Sequence, residues 1–269
     1  DQFYVTSTTG AVADVYRLML FMNMEWGLKV DIVNATAAFA GVNVTGPKAR
    51  ELLAPMTDDI DFSSEAFPYL CGGTGTVCGQ PVRVMRIGFS GELSYEIHVP
   101  YSRGEALWDR IVEAGRNVDL RPYGLEASRI LRLEKGHFII GQDTDAMTTP
   151  EQVGMQWAVS KKKPYFLSKR SVEQRRTLGT DRKLVGFETK EKSAQVFESC
   201  LVMDGRNPVG FVTSTCWSPT LEKRIGLAYA QPNVAIGDMI DIRSRQGGTV
   251  QVSVVSPHFY DPENRRQEL

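Results

Sequence analysis

The sequence predicts an α+β fold: a mixed N-terminal region followed by a C-terminal antiparallel β-barrel. Apolar residues recur at helical spacing over residues 11–26 and 104–114. Between them, residues 75–99 are rich in β-forming residues and alternate as strands do. Beyond residue 183, short strand-like runs follow one another with turn signals between them, which is typical of a small barrel.

The 269 residues are enough for one large domain or two smaller ones. Lys161-Lys-Lys-Pro164 and the charged stretch Arg175–Lys183 are typical of a connection between two units. We therefore predict an α+β region over residues 1–165, then a linker and barrel domain over residues 166–269.

Composition excludes several classes of function. A hydrophobic share of 42% and a charged share of 23% are those of an ordinary soluble protein. The net charge of −1 provides no basic field for nucleic acid, and no apolar run predicts a membrane span. The four cysteines form no C-x-x-C pair, and the three histidines are too scattered for a metal site, so we expect free thiols in a reducing cytoplasm.

The first elements are assigned from local pattern. Phe3–Thr6 is predicted to be a short strand, and Ala11–Trp26 an amphipathic helix. Lys29–Val33 and Ala37–Val44 are predicted to be strands. A helix is predicted from Pro47 to Leu53, because proline is favoured at a first helical position.

A hairpin and a helix are predicted next. Ser90-Gly-Glu92 turns the chain into a strand over Leu93–Val99, and Gly72-Gly-Thr-Gly75 belongs to a loop and hairpin, since it lacks the spacing of a nucleotide-binding loop. The helix Gly104–Ala114 is predicted to pack inward through four residues: Leu107, Trp108, Ile111 and Val112.

The barrel strands are predicted from short β-rich runs, with Gly247-Gly248 as a hairpin turn between the last two. The six runs are Leu184–Phe187, Cys200–Val202, Gly210–Ser214, Ile225–Tyr229, Met239–Arg243 and Val250–Val255.

The most informative segment is Pro122–Gly136, which puts the carboxylate of Glu134 on the apolar side of a short helix that Lys135-Gly136 ends. A carboxylate against aliphatic neighbours needs hydrogen-bond donors. Arg129, Arg132 or Lys135 could supply them in a structural salt bridge, which is the commoner fate of a helical glutamate. A ligand with paired N–H groups, such as a pterin ring, could supply them instead.

The residues around Glu134 carry a family resemblance. The segment Gly124–Glu134 and several later motifs resemble the glycine-cleavage T-protein (aminomethyltransferase) family, and the likeness covers essentially the whole chain. The later motifs are Gly141-Gln-Asp-Thr-Asp145, Thr149-Pro150, Gly154-Met-Gln-Trp157, Val209–Ser214, Trp217-Ser-Pro-Thr220 and Ile225-Gly-Leu-Ala228. Within the family, four segments are most similar to the C-terminal part of the heterotetrameric sarcosine oxidase alpha subunit: Asp58–Phe67, Ser90–Glu96, Gly141–Asp145 and Ser160–Lys163.

The resemblance implies a T-protein-like folate-binding region, with tetrahydrofolate as the cofactor. It identifies Glu134 as the pterin-contacting glutamate and places Tyr95 and Glu96 beside the folate. Tyr123 could stack on the ligand, and Trp217, predicted in a turn, could lie against its aminobenzoyl part. The alternative for Tyr95 and Glu96 is a cross-strand pair on a half-buried sheet. The alternative for Tyr123 and Trp217 is ordinary packing.

The resemblance also implies a catalytic carboxylate from an Asp-Asp pair. By alignment, the segment beginning at Asp1 corresponds to the residues just after that pair, so we expect this sequence to lack it. The catalytic residue is therefore unknown. Either the chain is one piece of a longer or nicked polypeptide, or it binds folate without catalysing.

The function implied is capture of a one-carbon unit from amine oxidation as 5,10-methylenetetrahydrofolate, in a sarcosine oxidase-type complex. Flavin and NAD are then expected in other regions or subunits of the complex. The expected partners are the flavin-containing oxidase subunits and the missing N-terminal portion. A stand-alone glycine-cleavage aminomethyltransferase and a non-catalytic folate-binding scaffold are the alternatives.

Overall fold

The computed structural model describes residues 2–269, which pack as two compact units. The first contains the residues up to 88, residues 92–122 and residues 266–269; the second contains residues 89–91 and 123–265. The division falls at residue 122 because the following helix packs on barrel strands. The sequence-based boundary at residue 165 stays a prediction.

In its described residues, the first unit contains a four-stranded antiparallel sheet and three α-helices. Its elements are α1 (Val12–Trp26), β1 (Phe39–Thr45), α2 (Ala49–Leu53), β2 (Gly72–Val77), β3 (Gln80–Met85), β4 (Ser94–Pro100) and α3 (Gly104–Gly115). The strand order is β1-β4-β3-β2. Alternate residues of β3 and β4, including Val84 and Ile97, are buried with Leu107 and Ile111 of α3 in one hydrophobic core.

Four predictions for this unit are wrong. Phe3–Thr6 and Lys29–Val33 form no strand, because a β-forming sequence also needs a neighbouring strand to pair with. Tyr4 is instead held by its side chain, whose hydroxyl is 2.9 Å from Nδ1 of His98. Trp108 was predicted to face inward but is 45% exposed, at the edge of the apolar stripe of α3. The helix predicted to start at Pro47 begins at Ala49.

The second unit contains a closed six-stranded antiparallel barrel, which confirms the predicted fold class and all six predicted strand positions. Its elements are α4 (Leu125–Lys135), α5 (Lys169–Leu178), β5 (Lys183–Thr189), β6 (Leu201–Asp204), β7 (Asn207–Ser218), β8 (Lys223–Ala230), β9 (Met239–Arg243) and β10 (Thr249–Val255). The order around the barrel is β10-β5-β8-β7-β6-β9. Phe187, Val212, Ala228 and Ile242 are buried in its interior.

Two negative findings apply to residues 2–269. None of their helices combines the length and the apolar character that a bilayer span requires. Nor do these residues gather three or more histidine, cysteine, aspartate or glutamate side chains that could hold a metal ion.

Candidate functional site around Glu134

Helix α4 ends where the sequence predicted, at Gly136. Gly136 adopts a left-handed conformation with φ of 84°, and its N–H donates to the carbonyl of Leu133. A Cβ at this position would lie 2.1 Å from the carbonyl oxygen of Pro257, so glycine is needed for the close approach as well as for the turn. The backbone carbonyl of Glu134 accepts the N–H of Tyr260, which ties the end of the helix to the segment after the barrel.

Glu134 is buried in the second unit, with 3% of its surface exposed. The hydroxyl of Ser218, at the end of β7, donates to Oε1 of Glu134 over 2.5 Å. Among the described residues, no other side chain or backbone group hydrogen-bonds to this carboxylate. A carboxylate offers about four lone-pair sites, so most of the acceptor capacity of Glu134 is not used by the protein.

The three basic neighbours in the sequence do not pair with Glu134. Arg129 donates to Gln142 over 3.0 Å, and Lys135 donates to Asp261. Arg132 donates to Asp143 over 2.7 Å. The structure therefore disfavours the structural salt bridge that the sequence left open, because each cation has another partner.

The Arg132–Asp143 pair is the centre of a buried polar network. Both side chains are at most 2% exposed. Asp143 also accepts the N–H of Ile139 and the hydroxyls of Thr213 and Ser214 on β7. This network fixes the loop after α4 against the barrel wall, and with it the helix that carries Glu134.

Cys216 lies beside this site on β7. Burial raises the pKa of its thiol to about 11, and the negative charge of Glu134 adds to the rise. Cys216 also lines a small cleft of about 130 Å³ between α4 and β7, together with Ile130, Leu133 and Thr215.

We expect Cys216 to resist alkylation in the folded protein. At pH 8 a thiol with a pKa of about 11 is only about 0.1% thiolate, and the thiolate is the reacting form. Iodoacetamide labelling followed by peptide mass mapping should show slow labelling of Cys216 in the native protein. The same cysteine in urea-unfolded protein is the control, and equal rates in both states would contradict the prediction.

Two of the sequence-predicted folate residues belong to the first unit. Tyr95 is fully buried on β4: its hydroxyl donates to the carbonyl of Phe62, and its ring packs edge-on to the Phe62 ring. Glu96 is partly exposed on β4, and its Oε2 lies 3.8 Å from Nε2 of His98. Burial raises the pKa of the Glu96 carboxyl. Their roles toward folate stay predictions.

The other predicted residues, Tyr123 and Trp217, belong to the second unit with Glu134. Tyr123 is 41% exposed just before α4. Trp217 lies in strand β7, so its predicted place in a turn is wrong: the strand continues through Ser218 because Trp217 pairs with Arg224 of β8. The ammonium of Lys192 lies 5.2 Å from the centre of its ring.

Sequence reasoning did not single out Ser218 or Asp143. Both lie inside the motifs that carried the resemblance, Trp217-Ser-Pro-Thr220 and Gly141-Gln-Asp-Thr-Asp145. Membership in these motifs was the one feature of the sequence that could have pointed to the two residues. Their partners lie 84 and 11 residues away, and no local pattern encodes such pairing.

Comparison with known sequences agrees with this architecture. Residues 1–163 match the GCVT N-terminal domain, and residues 182–261 match the glycine cleavage T-protein C-terminal barrel domain. The chain belongs to the glycine cleavage T-protein family. This confirms the family resemblance that the motifs indicated.

Two relatives illustrate the range of this T-protein family. The sarcosine oxidase subunit alpha of Corynebacterium sp. (strain P-1) is 35% identical over 281 residues, covering 100% of this chain and 29% of the relative. The aminomethyltransferase of Alkaliphilus oremlandii is 35% identical over 240 residues, covering 88% of this chain and 64% of the relative. This T-protein chain therefore spans less than two thirds of the length of either relative.

A solved structure supports the fold. The aminomethyltransferase T of the glycine cleavage system from Bartonella henselae aligns with a TM-score of 0.80 at 22% identity, covering 95% of this chain and 68% of that one. The T-protein fold is thus found across nearly the whole chain.

Proposed function

We propose that this chain is the tetrahydrofolate-binding, aminomethyltransferase-like portion of a sarcosine oxidase-type complex. In this role it captures the one-carbon unit released by amine oxidation as 5,10-methylenetetrahydrofolate. Flavin-containing oxidase subunits are the proposed partners. The alignment of the full chain with a sarcosine oxidase subunit alpha at 35% identity supports this proposal.

One observation carries the proposal: Glu134 is a buried carboxylate that accepts a single hydrogen bond from the protein. A buried charge is costly unless it is met by donors. The 2-amino group and N3–H of a pterin point the same way and would satisfy both of its oxygens. The residues present therefore fit tetrahydrofolate at this carboxylate.

The role of the protein is then mainly positioning. Bound tetrahydrofolate would supply the two nitrogens, N5 and N10, that take up the one-carbon unit. Glu134 would hold the far end of the pterin, so that those nitrogens meet the arriving electrophile in a fixed orientation. Enclosure by the protein would limit loss of the electrophile to water.

We expect Glu134→Gln to weaken tetrahydrofolate binding by about 1.5–3 kcal/mol, because an amide replaces one charge-assisted acceptor with a donor. Isothermal titration calorimetry under anaerobic conditions, on the full polypeptide that carries this sequence, measures the difference. Glu126→Gln is the matched control, since Glu126 is an exposed carboxylate in the first turn of the same helix.

Wild-type affinity in a folded Glu134→Gln variant would remove Glu134 from the site. Absence of tetrahydrofolate binding by the unmodified polypeptide would overturn the proposed function itself.

A further inference from the structure

Ser218 makes two hydrogen bonds, which together fix the orientation of its hydroxyl group. Its oxygen accepts the N–H of Leu221 over 3.0 Å, and its single hydrogen is directed at Oε1 of Glu134 over 2.5 Å. Ser218 is fully buried, so water does not compete for either bond. The hydroxyl is therefore a fixed donor to Glu134.

The backbone around Ser218 is also held in place. Ser218 is the last residue of β7 and pairs with Lys223, the first residue of β8. Leu221, which donates to the hydroxyl, lies in the short connection between these two strands. The donor thus stands on the wall of a closed barrel, which is a rigid support for a binding group.

A glutamate carboxylate needs such support because its terminal torsion is broad. Without a fixed partner, the carboxylate plane can rotate, and its oxygens do not stay aligned with two parallel N–H donors. The bond from Ser218 uses one lone pair of Oε1, and the other lone pairs remain for a ligand.

We propose that Ser218 is a positioning residue that fixes the Glu134 carboxylate plane for two-point recognition of a ligand with paired N–H groups. This inference rests on the proposed function, in which the ligand is tetrahydrofolate. If so, the preference for a ligand that carries the 2-amino group over one that lacks it depends on Ser218 as well as on Glu134.

The test is a double-mutant cycle on the full polypeptide, with tetrahydrofolate affinity as the readout. We expect Ser218→Ala to weaken binding roughly 5- to 10-fold on its own. In a Glu134→Ala background the same change should cost less than about 2-fold, because no side-chain acceptor remains for Ser218 to orient. Ser218→Thr keeps the hydroxyl, so this variant should retain most of the tetrahydrofolate affinity of the unmodified protein.

A second ligand distinguishes a positioning role of Ser218 from a role in packing alone. A tetrahydrofolate analogue that carries a methyl group in place of the 2-amino group can make only one of the two hydrogen bonds. Ser218→Ala should therefore reduce the preference for tetrahydrofolate over this analogue. A role limited to packing or stability would weaken both ligands equally.

Ser253→Ala is the matched control. Ser253 lies on another strand of the same barrel, β10, and its hydroxyl donates to the sulfur of Met239 over 3.3 Å, so the variant makes the same serine-to-alanine change on a different strand. We expect it to leave the affinity for tetrahydrofolate within about 2-fold of the unmodified protein. Thermal unfolding of every variant monitors the fold, and Ser218→Cys, with a weaker donor, replaces Ser218→Ala if the alanine variant does not fold.

The outcomes separate the two proposals. If Ser218→Ala weakens binding equally in both backgrounds, or no more than Ser253→Ala does, Ser218 is structural and the inference fails while the role of Glu134 stands. If Glu134→Gln binds as the unmodified protein does, the proposed pterin contact fails, and the Ser218 inference fails with it.

Discussion

Replacing Asp143 with alanine is expected to lower the free energy of unfolding of the second unit by about 3–5 kcal/mol, because it leaves the Arg132 guanidinium buried without its counter-charge. The loss extends beyond the ion pair. Asp143 also accepts the hydroxyls of Thr213 and Ser214, which the alanine would leave in a buried site without their acceptor.

Asp145→Ala is the control for this prediction. Asp145 lies two residues away and pairs with Arg182 over 3.1 Å, but its side chain is 53% exposed. Exposed ion pairs contribute about 0–1 kcal/mol, so the control should have a small effect. Urea unfolding followed by hydrogen exchange of the peptides from β7 and β8 measures both variants. A loss for Asp143→Ala no larger than that for Asp145→Ala would contradict the prediction.

Deleting residues 266–269 is expected to destabilise the first unit by about 3–6 kcal/mol. Arg86 of this unit is 1% exposed, and its guanidinium donates to the carbonyls of Gln267 and Leu269 over 3.2 and 2.6 Å. Only its bond to the carbonyl of Phe67 would remain. A hydrogen bond to a charged group contributes about 1.5–3 kcal/mol, and two are lost.

Combining the deletion with Arg86→Leu tests this cause. The double variant removes the buried charge along with its acceptors, so it should be more stable than the deletion alone. Hydrogen exchange of the peptides from β3 and β4 reports on this unit. If the double variant is no more stable than the deletion, the unpaired guanidinium is not the source of the loss.

The barrel could be predicted from sequence because its strands are short β-rich runs separated by turn residues. Val250–Val255, after Gly247-Gly248, shows the pattern clearly, and it forms β10. The end of α4 could also be predicted, since Lys135-Gly136 is a local stop signal. These features depend on a few consecutive residues.

Features that depend on distant partners could not be predicted. Lys29–Val33 has the composition of a strand but no neighbour to pair with. Helix α5 begins at Lys169, inside the region after residue 165 that the sequence predicts only as a linker. In the site, the burial of Glu134 followed from its helical position, but its bond to Ser218 joins residues 84 positions apart.

The chain order of the first unit has a consequence for synthesis. Residues 266–269 belong to this unit, yet they follow the whole barrel in sequence. During translation the sheet β1–β4 therefore emerges long before the carbonyls that meet Arg86. The barrel can complete its strands as they leave the ribosome, whereas the Arg86 guanidinium lacks two of its acceptors until residues 266–269 have also emerged.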